Sequence, residues 1–289
     1  MSKRIIVLGV NGMAGHLITL GLKNCINQFE VIGIARNSSI IKPDVILDVT
    51  NFTELELFIK KSNADVIINC VGLLNKTAEE NPDKAILINA YLPHFLEAIT
   101  KYTKTKIIHI STDCVFSGKE GSYLESSLRN GVGFYAQSKA LGELDNSKDL
   151  TLRTSIIGPE INRNGIGLFH WFFNQKKVIK GYTNAIWTGI TTVELFKAIK
   201  SSIDEDLYGI FHLVNDEKIS KFQLLEIINN EFERGLEIQL DGSYIVDKSL
   251  INTRTDFKFN VGTYKNMIHE MKLWIESHRE IYPHYYSES

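Results

Sequence analysis

The chain has little of what marks several common protein classes. Cysteine is scarce: Cys25, Cys70 and Cys114 are three among 289 residues. An odd count with no C-x-x-C spacing argues against a disulfide framework or a structural zinc site, so no metal is expected and a reducing compartment fits. Charge is nearly balanced, with a net value of −2. That leaves no electrostatic case for nucleic acid or an anionic membrane. No apolar run is long enough to span a bilayer. The run that follows Lys3-Arg4 is also too short for a signal-peptide core and reads as a first strand. These absences lead to the expectation of a cytoplasmic protein.

What is present is an alternation. Apolar, β-branched runs at 4–10, 30–35, 44–48, 64–71, 106–116 and 150–157 are separated by helical patterns at 14–27, 51–61, 82–102 and 133–145. Asn51 with Glu54 offers a capping box, and Pro82 opens a long helix. Continuous apolar strands between helices indicate parallel strands covered on both faces. The expected class is α/β, a doubly wound parallel sheet of the Rossmann kind over 1–157. Beyond Gly158-Pro159 the pattern loosens, with helical stretches near 165–177, 191–203, 220–232 and 264–278 and a strand at 208–214. A smaller α/β domain over 158–289 is expected to bind substrate, with some segments returning to the sheet. The tail at 283–289 is expected to fray.

Gly9, Gly12 and Gly15 follow the first strand and open the first helix. Such a turn lets backbone approach a dinucleotide pyrophosphate, which the free N–H groups of the helix then hold. Asn11, Met13 and Ala14 belong to the same cradle. About twenty residues after the third glycine, where an acid would select NAD, stands Arg36. A guanidinium suits a 2′-phosphate, so NADP is favoured over NAD. Asp48 and Val49 end the third strand, where an adenine would lie; Asp48 equally suits a helix cap. Cys70, Val71 and Gly72 end the fourth strand beside the expected pyrophosphate and ribose.

Tyr135 and Lys139 are four residues apart on a helix and share a face. A nearby ammonium stabilises phenolate; lowering a phenol by three pKa units takes about 4 kcal/mol. Lys139 also suits a ribose. Thr112, with Ser111 beside it, ends the fifth strand on the crevice side and could orient a substrate oxygen. Together these groups suit a ketoreductase, in which Tyr135 gives a proton and Thr112 steadies the oxygen.

On these motifs the chain resembles an extended short-chain dehydrogenase/reductase, and more closely the dTDP-4-dehydrorhamnose reductase family. The carriers are 9–15, Asp48-Val49-Thr50, Ile88-Asn89-Ala90, the Ser-Thr-Asp-x-Val-Phe-x-Gly stretch from Ser111 to Gly118, 135–139, and Leu152-Arg153-Thr154-Ser155. The resemblance implies NADPH or NADH, a nucleotide-linked 4-keto-6-deoxysugar, the triad Thr112, Tyr135 and Lys139, and Asn89 beside the site. The family usually has tyrosine at the position of Cys114 and tryptophan at that of Ile156. A related sugar, UDP-linked and N-acetylated, is therefore equally open. Asp113, Cys114, Trp187 and Arg254 are candidate substrate contacts, with Arg163, Lys176 and Lys177 as further candidates for the diphosphate. Cys114 with His170 allows an epimerase-reductase by similarity to GDP-fucose synthase. A non-catalytic NADP-binding subunit, as in methionine adenosyltransferase, is the other alternative. A homodimer is expected as the only protein partner.

Overall fold

The structure, a computed structural model, describes residues 2–286. Its centre is a seven-stranded sheet of parallel strands. Six strands are labelled in chain order: β1 (Lys3–Leu8), β2 (Phe29–Ala35), β3 (Val45–Ile46), β4 (Val66–Asn69), β5 (Lys106–Thr112) and β6 (Leu150–Thr154). The order across the sheet is β3-β2-β1-β4-β5-β6, with the Gly209–His212 strand outside β6. The chain therefore winds outward from β1 in both directions, and a crevice opens at the carboxyl ends between β1 and β4.

Ile5 and Val7 on one face of β1, Ile6 and Leu8 on the other, feed two separate clusters of buried side chains. This is why the strand lacks polar alternation. Helix α1 (Met13–Lys23) covers one face. Helix α2 (Phe52–Ser62) starts where Asn51 Oδ1 accepts from Glu54 N–H; the expected capping box is only half formed, because the Asn51 N–H donates to the Asp48 carbonyl and Glu54 instead accepts from Asn51 Nδ2 at 2.8 Å.

Three expected elements differ. The helix from Pro82 is interrupted by a wide turn at Ile86–Tyr91 before it continues as Leu92–Thr100. The run at 106–116 stops as a strand at Thr112, because Thr112 Oγ1 accepts from Cys114 N–H at 3.1 Å and turns the chain. The helix at 165–177 shrinks to Leu168–Phe173. The tail is another correction. Pro283–Tyr285 forms a helical turn, and the Tyr285 ring packs on Phe169 and Phe173; residues 287–289 lie outside the described residues.

The second half forms short sheets, Val178–Tyr182 with Glu237–Asp241, and Ala185–Trp187 between Ile219–Ser220 and Val246–Asp247. The Lys221–Glu231 helix packs on them. The Gly209–His212 strand and the Thr192–Ser202 helix return to the main sheet, where the Phe196 ring fills the space beside Gly21.

Candidate active site

Gly9 has φ +87°, and a Cβ on Gly15 would sit 2.1 Å from the Gly9 carbonyl oxygen. Glycine at 15 is what lets α1 press against the turn after β1. Gly12 caps α1 without a side-chain bond, so the first N–H groups of the helix remain available to an anion. Asn11 Nδ2 donates to the Asn37 carbonyl at 2.8 Å, while Asn11 Oδ1 is buried without a partner. A free helix end, a closely approached backbone and an orphaned acceptor fit a dinucleotide. Asn11, Gly12, Met13 and Ala14 line a cavity of about 460 Å³, joined by Cys70, Val71 and Gly72 from the end of β4. Burial pushes the Cys70 thiol up to about 12, so it stays neutral.

Arg36 is exposed at the end of β2 and is absent from this lining. Asp48 is absent too: its Oδ1 accepts from the Thr50 N–H at 3.0 Å and the Thr50 hydroxyl at 2.8 Å. Those bonds hold its carboxyl below the usual carboxylate range. Asp48 does not cap α2, a role taken by Asn51. Val49 packs in the cluster beneath β2 and β4.

The same cavity reaches Thr112, Asp113, Cys114, Tyr135 and Lys139. Tyr135 and Lys139 lie on the Phe134–Leu141 helix, and the Tyr135 phenol lies near the Thr112 hydroxyl in the same cavity. The Ser111 hydroxyl donates to buried Glu143 at 2.7 Å, whereas the Thr112 hydroxyl donates to Asp113 at 3.2 Å. Lys139 does not engage the phenol as expected. Its ammonium donates to the Ile110 carbonyl at 2.7 Å and lies 3.3 Å from His109 Nε2. Burial lowers Lys139 to about 8, against the pull of Glu143 and Cys70. Tyr135 is pushed well up, first by burial and then by Cys114 and Asp113. The phenol is therefore a protonated donor at neutral pH. That is the state a reduction needs.

The helix is held at three points, of which sequence reasoning named only Asn89, as a residue beside the site. Glu79 accepts from the Phe134 N–H at 3.0 Å and the Tyr135 N–H at 3.1 Å, capping the helix from another element. Gly142 ends it so closely against the Asn89 carbonyl that a Cβ there would stand 1.9 Å away. Asn89, fully buried, bridges the Leu73 backbone and the Ser138 hydroxyl, joining the loop after β4 to this helix. Below it, Arg153 makes a two-pronged pair with buried Glu143 at 2.7 and 2.8 Å. The clue for His109 was an imidazole inside an otherwise apolar strand; the others span too many residues to leave a pattern.

Thr154, Ser155 and Ile156 at the end of β6 continue the wall, and the second half closes it with Glu160, Ile161, Asn162, Ile166, Gly167 and Leu168. Glu160 accepts from the Gly167 N–H at 2.6 Å, and a Cβ on Gly167 would meet the Met13 methyl at 2.5 Å. This loop therefore lies against the phosphate turn.

Three candidates fall elsewhere. Trp187 is 3% exposed, packed against Tyr264 and covered by the Lys221 ammonium, so it has no face for an incoming base. Arg254 pairs with Asp256 and bonds the carbonyls of Tyr208 and Ile210, at the starting end of the last sheet strand, opposite the crevice. His170 is buried between the Tyr285 hydroxyl and the Arg163 carbonyl, outside the cavity lining. The Cys114–His170 pairing for epimerisation is thus not assembled. Arg163 is exposed on the rim loop, and Lys176 and Lys177 lie beyond the lining. Among the described residues no group of three His, Cys, Asp or Glu side chains could hold a metal, and no helix is long and apolar enough to cross a membrane.

The family profile described as the RmlD substrate binding domain matches residues 3–239. The chain belongs to this family. Among relatives of this RmlD-family chain, the dTDP-4-dehydrorhamnose reductase of Aggregatibacter actinomycetemcomitans is 26% identical over 241 residues, covering 79% of each chain. The dTDP-4-keto-6-deoxy-D-glucose reductase of Streptomyces niveus is 27% identical over 145 residues, 50% of this chain and 47% of the relative, so the matched stretch spans about half of that protein. In fold, the chain is similar to a dTDP-4-dehydrorhamnose reductase from Bacillus anthracis solved with NADP. The TM-score is 0.81 at 20% identity, over 95% of this chain and 99% of the other.

Proposed function

We propose that this RmlD-family protein is an NADPH-dependent reductase of a nucleotide-linked 4-keto-6-deoxysugar, acting in the synthesis of sugars for surface polysaccharide. The observation that carries the reading is the Thr112 hydroxyl and the Tyr135 phenol lining one cavity with Lys139 and the glycine turn. The named reductases of Aggregatibacter and Streptomyces support the substrate class, and the NADP-bound Bacillus structure supports the cofactor.

The cofactor, when bound, supplies hydride to the carbonyl carbon. Gly12 and Ala14, at the start of α1, would hold its pyrophosphate, and Lys139 would hold a ribose. Thr112 and Tyr135 both donate to the ketone oxygen, fixing it in the crevice. The Tyr135 proton passes to that oxygen as its charge develops, and Lys139, held on the Ile110 carbonyl, keeps a positive charge in the same crevice. Arg36 is the residue assigned to a 2′-phosphate. The reading includes a cytoplasmic location, consistent with three unpaired cysteines, and a homodimer, which light scattering would check.

The test is purified protein with NADPH or NADH against dTDP- and UDP-linked 4-keto sugars, following cofactor oxidation and product stereochemistry. Turnover lost in Tyr135→Phe is expected. Absence of turnover across the sugars overturns the reading, and a biological role unchanged in Tyr135→Phe favours a non-catalytic NADP-binding protein.

A further inference from the structure

Asn69 and His109 are register partners on the neighbouring strands β4 and β5, and both side chains are fully buried. With Lys139 they form one chain of polar atoms. The Val71 N–H donates to Asn69 Oδ1 at 3.1 Å, Asn69 Nδ2 lies 3.2 Å from His109 Nδ1, and His109 Nε2 lies 3.3 Å from Lys139 Nζ.

A main-chain N–H can only donate, so Val71 fixes the sense of every link that follows. Asn69 turns its carbonyl to Val71, which leaves its amide N–H for His109, and Nδ1 must accept. Deep burial, with Lys139 and His94 nearby, holds the imidazole well below its ordinary range, so the ring is neutral and carries one proton. That proton sits on Nε2 and points at Lys139. A neutral amine completes the chain: its lone pair accepts from Nε2, and it donates to the Ile110 carbonyl at 2.7 Å. An ammonium has no lone pair and would meet the ring proton head-on. The other groups around the lysine offset little of this. Glu143, one turn along the helix, is paired with Arg153 and takes the Ser111 hydroxyl, while Cys70 and Tyr135 stay protonated.

We propose that Asn69 and His109 are positioning residues that lock the imidazole with its proton facing Lys139, so that the ammonium is disfavoured against the neutral amine. The consequence for catalysis rests on the reductase reading: the lock sets the alkaline limit of reduction. Two measurements on the cofactor-free protein stand without that reading. One is the ring-proton position of His109, from nuclear magnetic resonance of protein carrying isotope-labelled histidine, between about pH 7 and 9. The other is stability against pH, in wild type and in His109→Phe, which keeps a ring and removes the N–H. The pH profile of turnover with NADPH is the third.

Wild type should show a bare Nδ1 and a protonated Nε2, and Asn69→Asp should move the proton to Nδ1. In His109→Phe the alkaline limb of turnover, and the pH at which cofactor-free stability starts to rise, should both move up by about one unit. Were Nε2 an acceptor bonded to an ammonium, the same substitution would move both down. A protonated Nδ1 in wild type overturns the proposal, as does a downward or absent shift in His109→Phe. A lack of wild-type turnover counts against the reductase reading, and the ring proton and the stability series then judge the lock. Should His109→Phe not fold, the wild-type ring spectrum decides alone.

Discussion

The two halves of this molecule build their shares of the cavity in different ways. The first half supplies five separate pieces: the turn after β1, the ends of β4, β5 and β6, and one face of the Phe134–Leu141 helix. All but the helix face terminate a strand, and the parallel sheet brings the strand ends to one edge. The second half lines the cavity with a single stretch, through Glu160, Ile161, Asn162, Ile166, Gly167 and Leu168. The groups proposed to carry the chemistry thus sit where sheet geometry fixes them, while the facing wall is largely loop. The first arrangement resists change in its chemistry, and the second lets specificity vary without disturbing it.

The sharpest way to break this comparison is Tyr135→Phe. We expect kcat to fall about a thousandfold, within the range for loss of a positioned proton donor, with NADPH affinity held within about threefold. A small effect would move the chemistry out of the sheet half.

Gly15→Val comes next. Its side chain would collide with the Gly9 carbonyl, so thermal unfolding should show about 1–3 kcal/mol of lost stability and NADPH binding should be lost with it. Glu79→Ala removes both bonds to the start of the catalytic helix. It should cost about tenfold in kcat, in line with about 0.5–2 kcal/mol for a lost cap, with KM nearly unchanged and Glu79→Gln recovering part of the rate.

A pH series tests Lys139. Its ammonium sits near 8, so reductive turnover should decline as pH rises through about 8. The stability sign is opposite. The folded value lies below the ordinary 10.5, so the unfolded chain binds the proton more tightly. Apo stability should therefore rise as pH climbs from about 8 toward 10.5, and Lys139→Met should lose that rise. The smallest effect belongs to Arg254→Ala, which should leave sugar KM within about twofold, because that guanidinium serves the opposite edge of the sheet.

The sheet half was legible because its signals are local. Apolar runs, glycine spacing, the Asn51–Glu54 cap and the Tyr135–Lys139 pair each fall within a few residues. Boundaries failed where a tertiary contact decided them. β5 ended early on a Thr112 side-chain bond. The helix from Pro82 opened at Asn89, which is tied to Leu73 and Ser138. Trp187 looked like a stacking platform because its sequence neighbours do not reveal Lys221, which lies across its face. Lys139 beside Tyr135 in sequence did not mean ammonium against phenol, because Ile110 and His109 hold it below.

One contact ties the stretch at 282–285 to the first turn of the molecule. Tyr282 bonds His16 on α1 at 2.6 Å, and the Tyr285 hydroxyl accepts from the Glu160 N–H at 3.1 Å, behind the loop that leans on Met13. The wall over the glycine turn is therefore backed by a segment more than 260 residues further along the chain, so loosening Tyr282 or Tyr285 should loosen that turn as well.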